Sequence, residues 1–429
     1  MVNKMRYGLN DKPGLLPWLL YGLQWWIVSL PCVMILGIIV AKLHFEDTGA
    51  QIFYIQKLFG VMGITMIVQV LWGHRLPLVI GPASVLLIGV LAALSAGTGA
   101  IYTGIFAGGV LLMLLAFTGW LSKLQFIFTP RIIVVILCLI AFTLAPVILK
   151  LVFSEPGRVL FHLFFALGLV LAMTVANHRL PGIWKSTVVL LALLAGSVGY
   201  FAAGGFPSLP PLASAAKPEF FNFLLDFDTG TIFAFIFCYL ALLINELGSI
   251  QAVGGMLGAD GLGKRTTRGV GLTGIANVVS GLVGVVGPVD YSMSPGIIAA
   301  TGCGSRYTLI PAGLGLLACA FFPGFVYLLN AVPGVVMGAV LLYLMSSQLS
   351  AGVQLLARES VVPDFNGGLT VGLPLMVALL LSFAPAEAIG HIPALIRPIV
   401  GNGFVMGVIT VLLLEHGVFR RPKAEKRNV

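Results

Sequence analysis

Gly287-Pro288-Val289-Asp290-Tyr291-Ser292-Met293-Ser294-Pro295-Gly296-Ile297-Ile298-Ala299-Ala300-Thr301-Gly302 sets a carboxylate and a helix start in the middle of an apolar chain. Ser294 followed by Pro295 is a helix-start signal. The hydroxyl can accept from an N–H two or three residues on, and Pro at the first helical position forfeits no bond. Val289 to Met293 then read as extended backbone running into a half-helix. At membrane depth such backbone persists only where it is buried in protein or lines a cavity. A half-helix whose positive end points at the midplane is a device by which many transporters hold substrate. The bland alternative is a reentrant kink with a trapped acid, and Asp290 weighs against it because intramembrane acids are costly and functional by default.

Working outward, composition fixes the class. The chain has 429 residues, 59% hydrophobic and 9% charged, with mean hydropathy +1.06, whereas soluble domains carry about 25% charged residues. It is an integral membrane protein whose first partner is the lipid bilayer. Its 24 basic and 15 acidic residues give +9, which reads as positive-inside bias rather than as a nucleic-acid footprint, since no aromatic–basic motif accompanies it. Cys32, Cys138, Cys238, Cys303 and Cys319 lie in separate apolar runs and make neither a disulfide framework nor a metal site. The first apolar run begins after Pro17 with no small-residue cleavage pattern behind it, so no cleaved signal peptide is expected. No Ser-His-Asp set, Walker loop or dinucleotide fingerprint stands in its required context; neither an enzyme nor a cofactor is expected.

A span needs roughly 20 apolar residues. That measure places seven at 18–41, 52–72, 77–95, 99–121, 131–153, 159–177 and 184–204, then seven more at 230–251, 268–287, 289–303, 308–330, 332–356, 367–385 and 396–417. The hydrophilic break Gly205 to Thr229 divides them. With both termini cytoplasmic, eighteen of the 24 Lys and Arg fall on the inner side, which supports an even count and a plasma or inner-membrane protein. Twelve spans remain open if the two split spans are reentrant.

The split spans echo one another. Leu76 to Ile80 precede Gly81-Pro82-Ala83-Ser84 and an apolar helix, as Val289 to Met293 precede Ser294-Pro295-Gly296 and an apolar helix. Both sit third of seven. Because seven is odd, the second half enters from the opposite side, and the two half-helices aim their positive ends at one focus. The reading is an all-α polytopic protein, an inverted repeat of seven plus seven spans with two short strands before the half-helices of spans 3 and 10. Backbone N–H groups of Ala83, Ser84 and Gly296 are the expected donors to a substrate held there.

Only Glu246 and Asp290 fall well inside spans among the 15 acids. An acid at such depth is paired, protonated for part of a cycle, or in contact with a polar ligand, which makes both candidates for proton coupling; a mere brace between helices is the alternative for Glu246. Asn245 and Gln251 carry amides that both donate and accept. They suit a heterocycle or serve as interhelical glue, and for Gln251 glue is preferred. Gln24 and Trp25 in the first span either reach the cavity or, for the indole, belong to the interfacial belt. His44, His74, His178 and His391 read as loop residues, and His162 and His416 as span ends. None has metal-ligand company. Gly271, Gly274, Gly281, Gly284 and Gly287 are spaced for close helix approach.

These residues resemble the xanthine–uracil permease, or nucleobase–ascorbate transporter, family over most of the chain. The similarity is carried by Gly22-Leu23-Gln24, Leu76 to Pro82, Ile244 to Ser249, and the run from Gly271 through Ser280-Gly281 and Gly284 to Tyr291, Gly296, Thr301 and Ser305-Arg306. It implies a core domain at 1–121 (spans 1–4) and 230–330 (spans 8–11), a gate domain at 122–229 and 331–417, a basic tail at 418–429, and a homodimer. Three departures fall at the site. Gln24 is followed by Trp25 where the family has His. The family's acid of the eighth span aligns with Asn245, with Glu246 displaced by about 100° round the helix. Met293-Ser294-Pro295-Gly296 replaces Glu, Gln or Pro followed by Asn, any residue and Gly.

The resulting expectation is a secondary transporter importing a nucleobase, a xanthine- or urate-like purine or uracil, with protons. Its substrate residues would be Gln24, Trp25, Ala83, Ser84, Asn245, Glu246, Met293, Ser294 and Gly296, and its coupling residues Glu246 and Asp290. A small-anion carrier of the same seven-plus-seven plan is the alternative, because facing helix N-termini also suit anions. A non-transport membrane scaffold stands further off, since it leaves Asp290 unexplained.

Overall fold

The computed structural model describes residues 5–121, 129–153, 156–181, 184, 187–204, 225–291, 293–330, 332–358, 362, 364–393 and 396–419. Most of the interhalf segment 205–229 and nearly all of the basic tail 418–429 lie outside them. In chain order the helices that matter are α1 (Leu15–His44), α2 (Thr48–Leu71), α3 (Ser84–Ala92), α4 (Thr98–Phe117), α5 (Pro130–Thr143), α6 (Ala145–Val152), α7 (Val159–Arg179), α8 (Val188–Gly204), α9 (Thr229–Met256), α10 (Leu262–Val283), α11 (Ser294–Thr301), α12 (Leu309–Cys319), α13 (Pro323–Asn330), α14 (Gly334–Arg358), α15 (Phe365–Ser382) and α16 (Gly403–Leu413). Among the described residues eight helical segments are long and apolar enough to cross a membrane, and three shorter apolar helices accompany them.

Three of the sparse acids outside the interior start helices. Asp47 accepts from the Ala50 N–H at 2.7 Å, Asp228 from Thr231 at 2.7 Å and Asp364 from Gly367 at 2.7 Å. Each satisfies an orphan donor at a helix N-terminus, an arrangement typically worth about 1 kcal/mol.

The chain leaves helical geometry at two matched places. β1 (Ile80–Pro82) and β2 (Pro288–Asp290) pair antiparallel, with Ile80 opposite Asp290, Gly81 opposite Val289 and Pro82 opposite Pro288. All six residues are buried, and each strand supplies the other's backbone partners, which is what makes extended chain tolerable there. The strands are shorter than the sequence suggests and shifted from Leu76–Ile80 and Val289–Met293. Crossing geometry is the reason: α3 begins two residues after Pro82, and Leu76 to Leu78 are held by bonds of their own, Leu78 N–H to the Leu76 carbonyl at 2.9 Å and Leu76 N–H to the His74 ring at 2.9 Å.

The helices form two packing groups, and the strands pack within the first, against α1, α2, α9 and α10. α1, α2, α4, α9, α10 and α12 pack on one another, and α5, α6, α7, α14, α15 and α16 form a second set around α14 and α5. Within the first, α4 and α10 touch backbone to backbone. A Cβ on Gly274 would sit 2.6 Å from the Met113 nitrogen, and one on Gly281 2.7 Å from the Phe106 nitrogen and Tyr102 carbonyl. Gly284, read from sequence as another packing glycine, instead ends α10 at φ 75°, a left-handed cap that a side chain would strain.

Candidate functional site

Each half-helix start is built from local bonds. Ala83 turns β1 into α3 with φ −72° and ψ 117° and no side-chain cap. Its N–H is already given to the Gly287 carbonyl at 2.9 Å, so it is not a free donor as the sequence suggested. Ser294 is the first residue of α11 rather than its cap, with Pro295 in the first turn. Its hydroxyl accepts from the Val79 N–H at 2.9 Å and donates to the Tyr291 carbonyl at 3.0 Å. The nearby strand offers an otherwise orphaned N–H, and satisfying that buried donor outweighs capping. Gly296 lies within the first turn of α11.

Between α3 and the second packing group lies a cavity of about 320 Å³. Ala83, Ser84, Asn245, Tyr291 and Met293 line one wall; Leu341, Met345, Ser347 and Gln348 of α14 line the other, with Leu137 and Ile140 of α5 beside them. Tyr291 lies flat against the strand because position 81 is glycine, where a Cβ would be 2.8 Å from the ring. Its hydroxyl is spent on the Pro82 carbonyl at 2.7 Å. Ser347 and Gln348 were not anticipated: polar residues on a long apolar helix give no sign of which way they face.

Of the expected site residues, Ala83, Ser84, Asn245 and Met293 meet at this cavity, and Gln24, Trp25, Glu246 and Ser294 are not among its lining; the surroundings of Gly296 are not among those described. Trp25 is 1% exposed and donates its indole N–H to the Thr308 hydroxyl at 3.1 Å. It anchors α1 to the start of α12, neither facing the cavity nor joining an interfacial belt. Gln24 is buried with its amide nitrogen unpartnered. Both lie about two to three helical turns from Cys32, Ile35 and Leu36, the α1 residues that do reach the cavity. A larger opening of about 570 Å³ between α1 and α12–α13 is almost wholly apolar, bordered by Leu19, Leu23, Trp26 and Phe322. It lacks the convergent polar groups that orient a polar ligand.

Glu246 turns away from the cavity into a buried network. One carboxylate oxygen accepts from the Thr273 hydroxyl at 2.6 Å and the other from the Asp290 N–H at 3.2 Å. The Asp290 carbonyl accepts from Asn245 at 2.9 Å and Ser249 at 3.2 Å. Asn245 and Glu246, adjacent in sequence, therefore grip the same residue from two sides, one facing the cavity and one not. Asn277 holds the start of β2 by donating to the Pro288 carbonyl at 3.0 Å. Glu246 and Asp290 are both 0% exposed, and so is His74, whose Nε2 lies 3.4 Å from Asp290 Oδ1. His74 was read as a loop residue. Its signal was position: it closes the segment that enters the first strand. Among the described residues no cluster of three or more His, Cys, Asp or Glu is arranged to hold a metal.

The transmembrane domain of the cyanobacterium bicarbonate transporter BicA has the same fold, with a TM-score of 0.62 at 16% identity over 87% of this chain and 97% of that one. The uric acid permease PucJ of Bacillus subtilis (strain 168) is 25% identical over 382 residues, covering 85% of this chain and 84% of PucJ. The putative purine permease YwdJ of the same strain is 25% identical over 428 residues, covering 94% and 96%. Residues 16–387 match the model of the Permease family that takes in xanthine and uracil permeases, and the chain belongs to that family.

Proposed function

We propose that this permease is a secondary transporter that imports a nucleobase, a purine such as xanthine or urate or the pyrimidine uracil, together with protons. The observation that carries the reading is the cavity of about 320 Å³, within the size range of small-molecule sites. It sets a few polar groups, the Ser84 hydroxyl and the Asn245 and Gln348 amides, among apolar walls that include a tyrosine ring and a thioether. Amides both donate and accept, which matches a ring with alternating carbonyl and N–H edges. The ring face suits Tyr291, and Met293 adds a sulfur contact. Two relatives carry names of purine and uric acid permeases, which supports the same substrate class.

The finer plan belongs to this reading. Fourteen spans form a seven-plus-seven inverted repeat, the first packing group is a core domain at 1–121 and 230–330, and the second is a gate domain at 122–229 and 331–417. Both termini face the cytoplasm, the protein sits in the plasma or inner membrane, and two copies associate. Glu246 and Asp290 carry the coupling proton; Asn245, bonded to the Asp290 carbonyl, ties that event to the cavity.

An anion carrier is the second reading, favoured by the N-terminus of α3 opening beside the cavity. The test is uptake by proteoliposomes across a panel of nucleobases and small anions, with and without an inward proton gradient. Saturable nucleobase uptake that the gradient drives above equilibrium is expected. Gradient-independent anion exchange with no nucleobase uptake would overturn the proposal.

A further inference from the structure

The acids of the proposed coupling site belong to a closed ring, and one member has no role so far. The His74 N–H donates to the Gln69 side-chain oxygen at 3.3 Å, the Gln69 amide donates to the Thr273 hydroxyl at 2.9 Å, and Thr273 donates to Glu246 at 2.6 Å. Glu246 accepts from the Asp290 N–H at 3.2 Å, and Asp290 Oδ1 faces His74 Nε2 at 3.4 Å. The last link is the longest, and neither Asp290 carboxylate oxygen has a hydrogen-bond donor in good geometry. The ring ties α2, α9, α10 and β2 to the segment that leads into β1.

The other nitrogen of His74 is committed. The Leu76 N–H donates to Nδ1 at 2.9 Å, and a nitrogen that accepts carries no proton, so the ring proton sits on Nε2, towards Asp290. A second proton can enter only at Nδ1, where the new N–H would face the Leu76 N–H. Two donors cannot share that space, and the turn must open. It is a wound turn: Arg75 takes φ 55°, a left-handed conformation that non-glycine residues seldom adopt. The charged groups around the imidazole are Asp290 from β2, Glu246 from α9 and Arg265 from α10. Arg265 holds the His74 and Arg75 carbonyls at 3.2 and 3.1 Å, while the Arg75 guanidinium turns back to the Leu71 carbonyl at 3.1 Å.

We propose that His74 is a positioning residue for coupling: a proton taken up at Nδ1 opens the Gly73–Leu76 turn and loosens β1 against β2, so that the charge state of the Asp290–Glu246 pair reaches the half-helix start at Ser84. One N–H bond forms at Nδ1 and one hydrogen bond from Leu76 is lost; no other reactant is needed. The proposal rests on the reading of the chain as a proton-coupled transporter, but the turn can be followed without substrate.

Amide hydrogen exchange of the Leu76 N–H in proteoliposomes reads it directly. After correction for intrinsic rates, wild-type protection should fall about tenfold as pH is lowered from about 8 to about 5. His74→Gln keeps an acceptor and a donor but cannot be protonated, and its protection should not vary; His74→Asn serves if the Gln variant does not fold. In transport, the folded amide variant should keep base exchange within about threefold and lose about tenfold in gradient-driven accumulation. Wild-type protection that is flat with pH, a variant that follows the wild-type profile, or a variant with normal accumulation would each overturn the proposal. So would a folded variant that loses exchange together with accumulation. If the wild type moves no nucleobase, the transport reading fails, and the exchange measurement still decides whether His74 opens the turn.

Discussion

In the first half of the chain Ile80–Pro82 runs into Ser84–Ala92 with no ionisable side chain between them; in the second, Pro288–Asp290 runs into Ser294–Thr301 through an acid, a thioether and a hydroxyl. The plan is common and the polar groups are used differently. The second unit spends nearly all of them on holding itself. The Asp290 N–H and carbonyl, the Tyr291 hydroxyl and the Ser294 hydroxyl all have partners within the protein, so among the described residues of this unit it is Val289, the Tyr291 ring and Met293 that face the cavity. The first unit is plainer and leaves the Ser84 hydroxyl beside the cavity. In the proposed transporter, recognition would therefore fall to the first unit with Asn245 and the facing helix α14, and proton coupling to the second unit with Glu246.

The largest expected effect tests that division. Glu246→Gln removes the titratable member that touches β2 but leaves the cavity lining alone. Accumulation driven by a proton gradient should fall by about a hundredfold while base exchange stays within about threefold. A variant that still concentrates substrate places coupling outside the second unit.

Next in size is Asn245→Ala, which removes a cavity amide and a donor to a buried carbonyl. A loss of about 1–3 kcal/mol, roughly fivefold to 150-fold in affinity, is expected from a binding isotherm. Gln348→Ala, on the half-buried α14 wall, should cost only severalfold in KM. The reverse order would move recognition from the strand side to the α14 side.

Restoring the family pattern sharpens the comparison further. From sequence, Met293→Glu with Ser294→Asn is expected to tighten selectivity. In the structure the Ser294 hydroxyl bridges Val79 and Tyr291, so the double variant should lose about 1 kcal/mol of stability in thermal melts before any gain in selectivity appears. The smallest effect belongs to Trp25→Phe. It removes one bond to Thr308, at a cost of about 1 kcal/mol, and substrate preference should not change, because the indole does not reach the cavity.

The class, the echo between the halves and the two buried acids were legible because each is a statement about depth: an apolar run, a proline after a short strand, a charge far from either end. What sequence spacing does not give is rotation. Asn245 and Glu246 differ by about 100° on one helix, and that angle sends one to the cavity and the other to Thr273. Trp25 and Gln348 were misplaced or missed for the same reason. The Ala83 N–H looked free because its acceptor, Gly287, is two hundred residues away. His74 was hidden by its surroundings, since Gly73-His74-Arg75 between two apolar runs has the composition of an exposed turn, and only the fold shows it at 0% exposure against Asp290.

The account turns on where the substrate sits, and a structure of the protein with its transported base decides it. Density is expected between Ser84 and Asn245 on one side and Gln348 on the other, with the ring against Tyr291. Density in the apolar opening beside Trp26 and Phe322, with this cavity empty, would contradict the assignment of the site.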